Sequence, residues 1–393
     1  MYLTNEEEKM LEGEYGYAVK KAMEILVALG KIYNADKLIP IKSAHVSGIS
    51  YYNIGESGLE FLKDFLRGVR VKVKTTINPC AMDIERWNEM GIGREFAYKQ
   101  LEIIKYFREA GVEASLTCTP YYSGNRPSLG DHIAWSESSA VAYANSIIGA
   151  RSNRESGISA LAAAIVGKTP YYGMHVKDER APQVYVKIGF KLRYESDYGV
   201  LGYIISKYTC GLIPLIKLAN KPSETDLRIL SASISTYSNI PMYHIQDLTP
   251  ESSDFDIPRE KITIDKDDIN EGYKYLHDDF DKPDLIWIGC PHASLEDIAH
   301  IASLLRGRRI DRRFWITTSR SVYLQALNEG YIKLIEDAGG KVYADTCIAV
   351  MPLKGIIENI ITNSAKGCYY ARGLNRLKVK VYSLNEIVES AAK

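Results

Sequence analysis

The chain carries no excess of charge. Lysine plus arginine and aspartate plus glutamate each total 49 of 393 residues, so the formal net charge is zero. This removes the electrostatic footprint of a nucleic-acid binder or of a protein held on an anionic membrane. A local basic pocket for a small anion stays open, because a balanced total says nothing about clusters. The chain also lacks a long apolar run. Its longest, VLGYIISKYTCGLIPLI, is broken by Lys207, Cys210, Gly211 and Pro214. It reads as protein core rather than a membrane span, with Cys210 inside that core. The opening residues, MYLTNEEEKM, have neither the apolar stretch of a signal peptide nor the basic bias of a transit peptide. The expected location is the cytoplasm, with no nucleic acid and no membrane as partner.

Cysteine is scarce and unpaired in sequence. Six occur, at 80, 118, 210, 290, 347 and 368, and no two form a CxxC motif. A disulfide framework, a zinc ribbon and a thioredoxin-type motif are therefore not expected. Any metal site must be assembled from distant segments. Repeats and low-complexity tracts are absent. The remaining composition, 46% hydrophobic and 25% charged, is that of a folded globular protein, and the length leaves room for more than one domain.

Strands and helices alternate along what is there, which predicts an α/β fold with mainly parallel sheets. Thr4 and Glu7 have the spacing of a capping box at the start of a helix that breaks near Gly13 or Gly16. REFAYKQLEIIKYFREAG reads as an amphipathic helix stopped by Gly111, and VEASLTC as a strand ending on Cys118. From about 275 the pattern is cleaner. PDLIWIGC, RRFWITTS and KVYADTC read as strands with helices between them. The expected divisions are an N-terminal α/β region over 1–274 carrying Cys118 and polar substrate loops, a doubly wound unit over 275–350, and a segment over 351–393 that packs back on the cleft between them.

Cys118, Cys290 and Cys347 share one context, the carboxyl end of a predicted strand. In open α/β sheets that edge faces the ligand. Taken singly, a free cysteine is a small buried hydrophobe. Three at matching positions form a candidate ligand set, whose soft thiolates suit zinc or an iron–sulfur cluster. With His292, two residues past Cys290, they would make a closed Cys3His zinc site in a protein without catalytic function.

Polar loops supply further candidates. HVSGIS puts Gly48, Ile49 and Ser50 after a strand, and INP puts Asn78 and Pro79 after another. SESS offers Glu137, Ser138 and Ser139, and NSAK offers Ser364 and Lys366. A lysine there suits a carboxylate or phosphate. Arg126, Arg151 and Arg154 are weaker candidates for phosphate. His45 and His132 also sit in motif loops.

LIWIGCPHASLEDIAHIASLL and FWITTSRSVYLQALNEGYIKLIEDAGGKVYADTC resemble the aconitase and isopropylmalate isomerase segments in which strands end in cluster-ligating cysteines. Those families continue with a CxxC pair, whereas here Cys347 is followed at that spacing by Val350. That departure, with TINPC, LTCTPYYSGN, WSESSAVAYANSIIGARSNRESG and TNSAKGCYY, resembles the aconitase X family over essentially the whole chain. The resemblance implies an aconitase-like fold of several three-layer α/β/α units around a cleft. It implies a hydro-lyase with a [4Fe–4S] cluster held by Cys118, Cys290 and Cys347, one iron being left open. Glu137, Ser138 and Lys366 are the implied catalytic side chains. The implied substrate is a small anionic hydroxy acid. For archaeal members of this size it is (R)-5-phosphomevalonate, giving trans-anhydromevalonate 5-phosphate in isoprenoid synthesis. The alternative is cis-3-hydroxy-L-proline. The swivelling domain that carries the family's catalytic serine has no counterpart before KVKVYSLNEIVESAAK closes the chain, so the resemblance implies a separate small subunit.

Overall fold

In the computed structural model, which describes residues 1–392, two helices open the chain, α1 (Asn5–Glu12) and α2 (Tyr17–Ile32). Thr4 and Glu7 close their capping box, and Gly13 ends α1 in a left-handed conformation. There follow β1 (Leu38–Pro40), β2 (Ser43–Val46), α3 (Tyr51–Phe65), β3 (Lys74–Ile77), α4 (Arg94–Glu109), β4 (Ala134–Trp135), α5 (Ser138–Tyr143), α6 (Gly157–Val166) and β5 (Lys168–Pro170). β2 lies between β3 and β4, all parallel, while β1 and β5 form a small antiparallel pair. Small side chains let α6 sink against the sheet and α2, and it is buried from Ser159 to Val166.

The strand expected over VEASLTC does not form. Glu113 and Thr117 still donate backbone hydrogen bonds to Thr75 and Ile77 of β3, at 2.9 and 3.1 Å. Between them Leu116 takes a left-handed φ of 45°. This breaks the ladder before Cys118, so that cysteine leaves an irregular edge rather than a strand end.

A second sheet comprises β6 (Val184–Ile188), β7 (Pro214–Lys217), β8 (His244–Ile245) and β9 (Lys261–Ile264), in the order β8-β7-β6-β9 and all parallel. Its helices are α7 (Glu195–Thr209), α8 (Glu224–Tyr237) and α9 (Lys266–Leu276). The apolar run, 200–216, covers most of the buried helix α7 and continues into β7. Cys210, expected in the core, is instead exposed. It caps the end of α7 in a left-handed conformation, and this turns it outward.

The third sheet follows the order β12-β11-β10-β13-β14, all parallel. It is built from β10 (Leu285–Ile288), α10 (Leu295–Leu305), β11 (Phe314–Thr318), α11 (Arg320–Asn328), α12 (Tyr331–Asp337), β12 (Lys341–Ala344), β13 (Asn359–Thr362), α13 (Ala365–Asn375), β14 (Lys378–Val381) and α14 (Leu384–Ala391). Two expected divisions differ from this arrangement. Residues 1–274 hold two separate parallel sheets, besides the small β1–β5 pair, rather than one region. The segment beyond 350 supplies β13 and β14 to the third sheet, because β10 is central and needs a paired neighbour on each edge. Separate hydrophobic clusters cover the two faces of this sheet, and its central strand β10 is apolar throughout. The mainly parallel α/β layers are otherwise as expected. Among the described residues no helix is long and apolar enough to cross a membrane.

Candidate active site

β10 ends at Ile288, and Gly289 follows with φ of 124°. A Cβ on Gly289 would stand 2.2 Å from the carbonyl oxygen of Thr317 in β11. Only glycine passes so close to the neighbouring strand. Cys290 comes next, at the rim of the sheet. On the same rim Cys347 follows β12, and the Cys80 N–H of the first unit donates to the carbonyl of Asp345 at 2.8 Å. Cys118 arrives from the first unit. Its sulfur accepts the backbone N–H of His292 at 3.2 Å, which ties the loop after Cys290 to the edge of β3.

The three sulfurs line one cavity of about 320 Å³, together with Asn78, Glu137, Ser138, Arg154, Lys366 and Tyr370. All three are buried, and none is in a disulfide. A hydrogen bond from Cys347, the Lys366 charge and the Ser364 hydroxyl hold the Cys290 thiol below its ordinary value, against burial. Burial, with the Glu137 charge, pushes Cys118 up to about 12. Cys347 is raised by its hydrogen bond to Cys290 and by burial. Of the three thiols, Cys290 is thus the one whose deprotonation its surroundings assist.

The Cys3His zinc alternative fails on His292. Its Nε2 lies 2.8 Å from the Thr346 carbonyl and must carry the proton, while Nδ1 accepts from the Thr117 hydroxyl at 3.0 Å. No lone pair remains for a metal. Among the described residues no three His, Cys, Asp or Glu side chains surround a single point closely enough to hold one ion. The sulfurs face a shared space instead, which suits a group with several metal atoms.

Opposite the sulfurs stands a polar chain. Glu137 caps α5 by accepting the N–H and hydroxyl of Ser139, at 3.3 and 2.9 Å. Its other oxygen accepts Asn78 Nδ2 at 2.7 Å. Lys366 Nζ pairs with Glu137 and lies 3.4 Å from Ser138 Oγ and 3.2 Å from Ser139 Oγ. Burial acts to raise Glu137, but the Lys366 charge and the Asn78 and Lys366 hydrogen bonds bring it down to about 2. Burial works against the Lys366 cation, and the Glu137 charge overrides it and raises that group. Both members are therefore ionised at neutral pH. Behind Asn78, His45 Nε2 lies 2.9 Å from the Asn78 side-chain oxygen, and Nδ1 lies 2.8 Å from the Thr76 hydroxyl. Burial lowers His45 to about 4, so it is neutral and fixes the orientation of the amide.

Of the sequence candidates, Gly48, Asn78, Pro79, Glu137, Ser138, Lys366 and the three cysteines line the cavity. Four are set back from it. Ile49 is buried, its carbonyl accepting from Gln100, and Ser50 donates to the Val350 carbonyl at 2.9 Å. Ser139 holds the ion pair from behind, and Ser364 caps α13 through the Gly367 N–H. His132 lies elsewhere, its Nδ1 2.9 Å from that of His175. Of the three arginines only Arg154 reaches the lining, while Arg151 lies beside Glu251. Tyr370 was not singled out by sequence reasoning, although a signal existed. Lys366, Tyr370 and Leu374 recur at the helical period on α13, and all three line the cavity.

Family models match the chain in three consecutive parts: Aconitase X first domain over residues 1–178, second domain over 182–274 and third domain over 283–393. The phosphomevalonate dehydratase large subunit of Thermococcus kodakarensis is 47% identical, over 100% of both chains. The cis-3-hydroxy-L-proline dehydratase of Pseudomonas aeruginosa is 30% identical, over 98% of this chain and 69% of its own. A crystal structure of Thermococcus kodakaraensis aconitase X in its holo form covers 100% of both chains, with 46% identity and a TM-score of 0.93.

Proposed function

The chain belongs to the aconitase X family, and from that premise we propose that it is the large subunit of a phosphomevalonate dehydratase. The reaction is loss of water from (R)-5-phosphomevalonate to give trans-anhydromevalonate 5-phosphate. The observation that carries this reading is the cavity, which sets three buried thiols against a buried Lys366–Glu137 pair. Full-length identity of 47% to a relative bearing that name supports the substrate, against 30% to the hydroxyproline dehydratase.

Cys118, Cys290 and Cys347 would hold an iron–sulfur cluster, [4Fe–4S] with one open iron on this reading. When bound, such a group supplies Lewis acidity at the departing hydroxyl. Lys366 supplies a fixed cation for the substrate's carboxylate, and Ser138 a hydroxyl beside it. Asn78, held by His45, keeps Glu137 in place, and Glu137 in turn aims the ammonium. This pair works by charge and orientation. Glu137, at about 2, is ionised but too weak a base to take a proton from carbon. Lys366, raised above its ordinary value, stays protonated and has no lone pair to accept one. The base that removes the proton next to the carboxylate must therefore come from another group. A small subunit carrying a swivelling domain and a catalytic serine fills that role, and the relatives' designation as a large subunit supports such a partner.

The test is anaerobic co-expression with the small subunit, followed by metal analysis and assay on phosphomevalonate and cis-3-hydroxy-L-proline. A brown, iron-containing complex that dehydrates phosphomevalonate is the expected result. Turnover of hydroxyproline alone, or a complex that takes up no iron on reconstitution, would overturn the reading.

A further inference from the structure

The cavity lining holds two cations, and they differ in how far they are neutralised. Lys366 is buried and paired with Glu137. Arg154 is exposed, at the mouth, and among the described residues no carboxylate pairs with it. Its hydrogen bonds run from one terminal nitrogen, Nη1, to the carbonyl of Ser238 and to Asn239 Oδ1, each at 3.2 Å. Nη1 has two protons, and these two acceptors use both. Nε–H and Nη2 remain, the edge that makes paired, parallel bonds to a phosphate or carboxylate. The anchors at Ser238 and Asn239 lie just past the end of α8, so the guanidinium of this lining residue is braced by the second unit.

We propose that Arg154 is the specificity-determining residue for a phosphate at the distal end of the substrate. This rests on the reading above and deepens it. The carboxylate and hydroxyl of the substrate must lie deep, near the sulfurs and Lys366, where the chemistry occurs. The far end of a phosphorylated hydroxy acid then points to the mouth, where the uncompensated cation stands. Glu137 makes the interior unwelcoming to a second anionic group unless a cation answers it. Tyr370 stands near enough to Arg154 to feel its charge and lines the same wall. A ring-nitrogen substrate without a phosphate makes no use of this arginine.

The experiment uses the reconstituted large–small complex and the variants Arg154→Gln and Arg154→Lys. The substrates are phosphomevalonate and mevalonate, and inorganic phosphate is the inhibitor. Arg154→Gln is expected to raise KM for phosphomevalonate roughly 100-fold while kcat changes little, the loss of a charge-assisted paired contact. It should also abolish competitive inhibition by phosphate. Arg154→Lys, which keeps the charge and loses the fork, should fall between. Iron content and melting temperature report whether the variants are intact. An intact Arg154→Gln complex whose KM for phosphomevalonate stays within about twofold of the parent overturns the proposal. A drop in kcat with KM unchanged assigns Arg154 a structural role and also overturns it. If the parent complex dehydrates hydroxyproline and not phosphomevalonate, the reading of the reaction falls first, and this proposal falls with it.

Discussion

Lys366, in the first turn of α13, and Glu137, the cap of α5, meet as a buried ion pair although 229 residues separate them in the chain. The pair joins the first unit to the third across the cavity. Two charges taken out of water are tolerated only together. Removing one strands the other and typically costs about 3–5 kcal/mol.

Lys366→Met should therefore lower stability by about that amount, read from urea unfolding, and abolish turnover. Adding Glu137→Gln removes the stranded charge. The double variant should recover most of the stability and none of the activity. A double variant as unstable as Lys366→Met would show that packing, not charge, holds the two helices together there.

The cysteines separate by position. Cys118→Ser, Cys290→Ser and Cys347→Ser should each lose most of the iron of the anaerobically reconstituted protein, seen as loss of visible absorbance. Cys210→Ser should retain it, because Cys210 is exposed at the end of α7 and lies outside the cavity lining. Iron retained in all three cavity variants would remove the cysteines from the ligand set.

Much of this arrangement is legible in the sequence, and the exceptions have local causes. Gly289-Cys290 after an apolar run announces a strand exit, since the run's length and the glycine agree there. Cys118 lines the cavity, but it does not reach it from a strand end. Its segment has strand-like residues, but the left-handed Leu116 interrupts the pairing, and nothing in VEASLTC signals that conformation. Ile49 and Ser139 sit beside true lining residues and point elsewhere, because neighbours along a chain do not share a direction. Arg154 and Tyr370 depend on where α8 and α13 come to rest, a tertiary fact. Cys210 reads as core by its neighbours, yet it ends α7 in a left-handed conformation and is exposed there.

His175 is buried, and its Nε2 finds no partner among the described residues. Burial, with the charges of His132, Arg180 and Arg151, lowers it to about 3. An unfolded imidazole binds its proton near pH 6.5, and the folded one refuses it until far lower. Between those values the unfolded state holds more protons, so stability falls as pH falls, by about 1.4 kcal/mol per pH unit for each such group. Other buried groups titrate in this range as well, and a comparison of variants cancels them. His175→Asn should flatten the dependence of stability on pH by about that slope between pH 6.5 and 4. Parallel curves for parent and variant would place the His175 proton affinity near its ordinary value.

Gly289→Ala tests the strand exit on which Cys290 depends. Alanine there faces two obstacles. Its φ of 124° lies in a region closed to side chains, and its Cβ would meet the Thr317 oxygen at 2.2 Å. Neither can relax cheaply. The Thr317 carbonyl accepts the Ala293 N–H at 3.0 Å, and the Thr317 hydroxyl donates to the Gly289 carbonyl at 3.1 Å. Backbone strain of this kind costs about 1–3 kcal/mol by itself, and displacing the strand adds to it. The expected variant is less stable by about 3 kcal/mol or more and is depleted in iron, because Cys290 is thrown off its position. The two effects are separable. If the strand yields and Cys290 does not move, stability falls while iron content holds. If the loop yields, iron is lost with a smaller change in stability. A variant with parental stability and parental iron content would mean that Gly289 is not what brings the thiol to the rim.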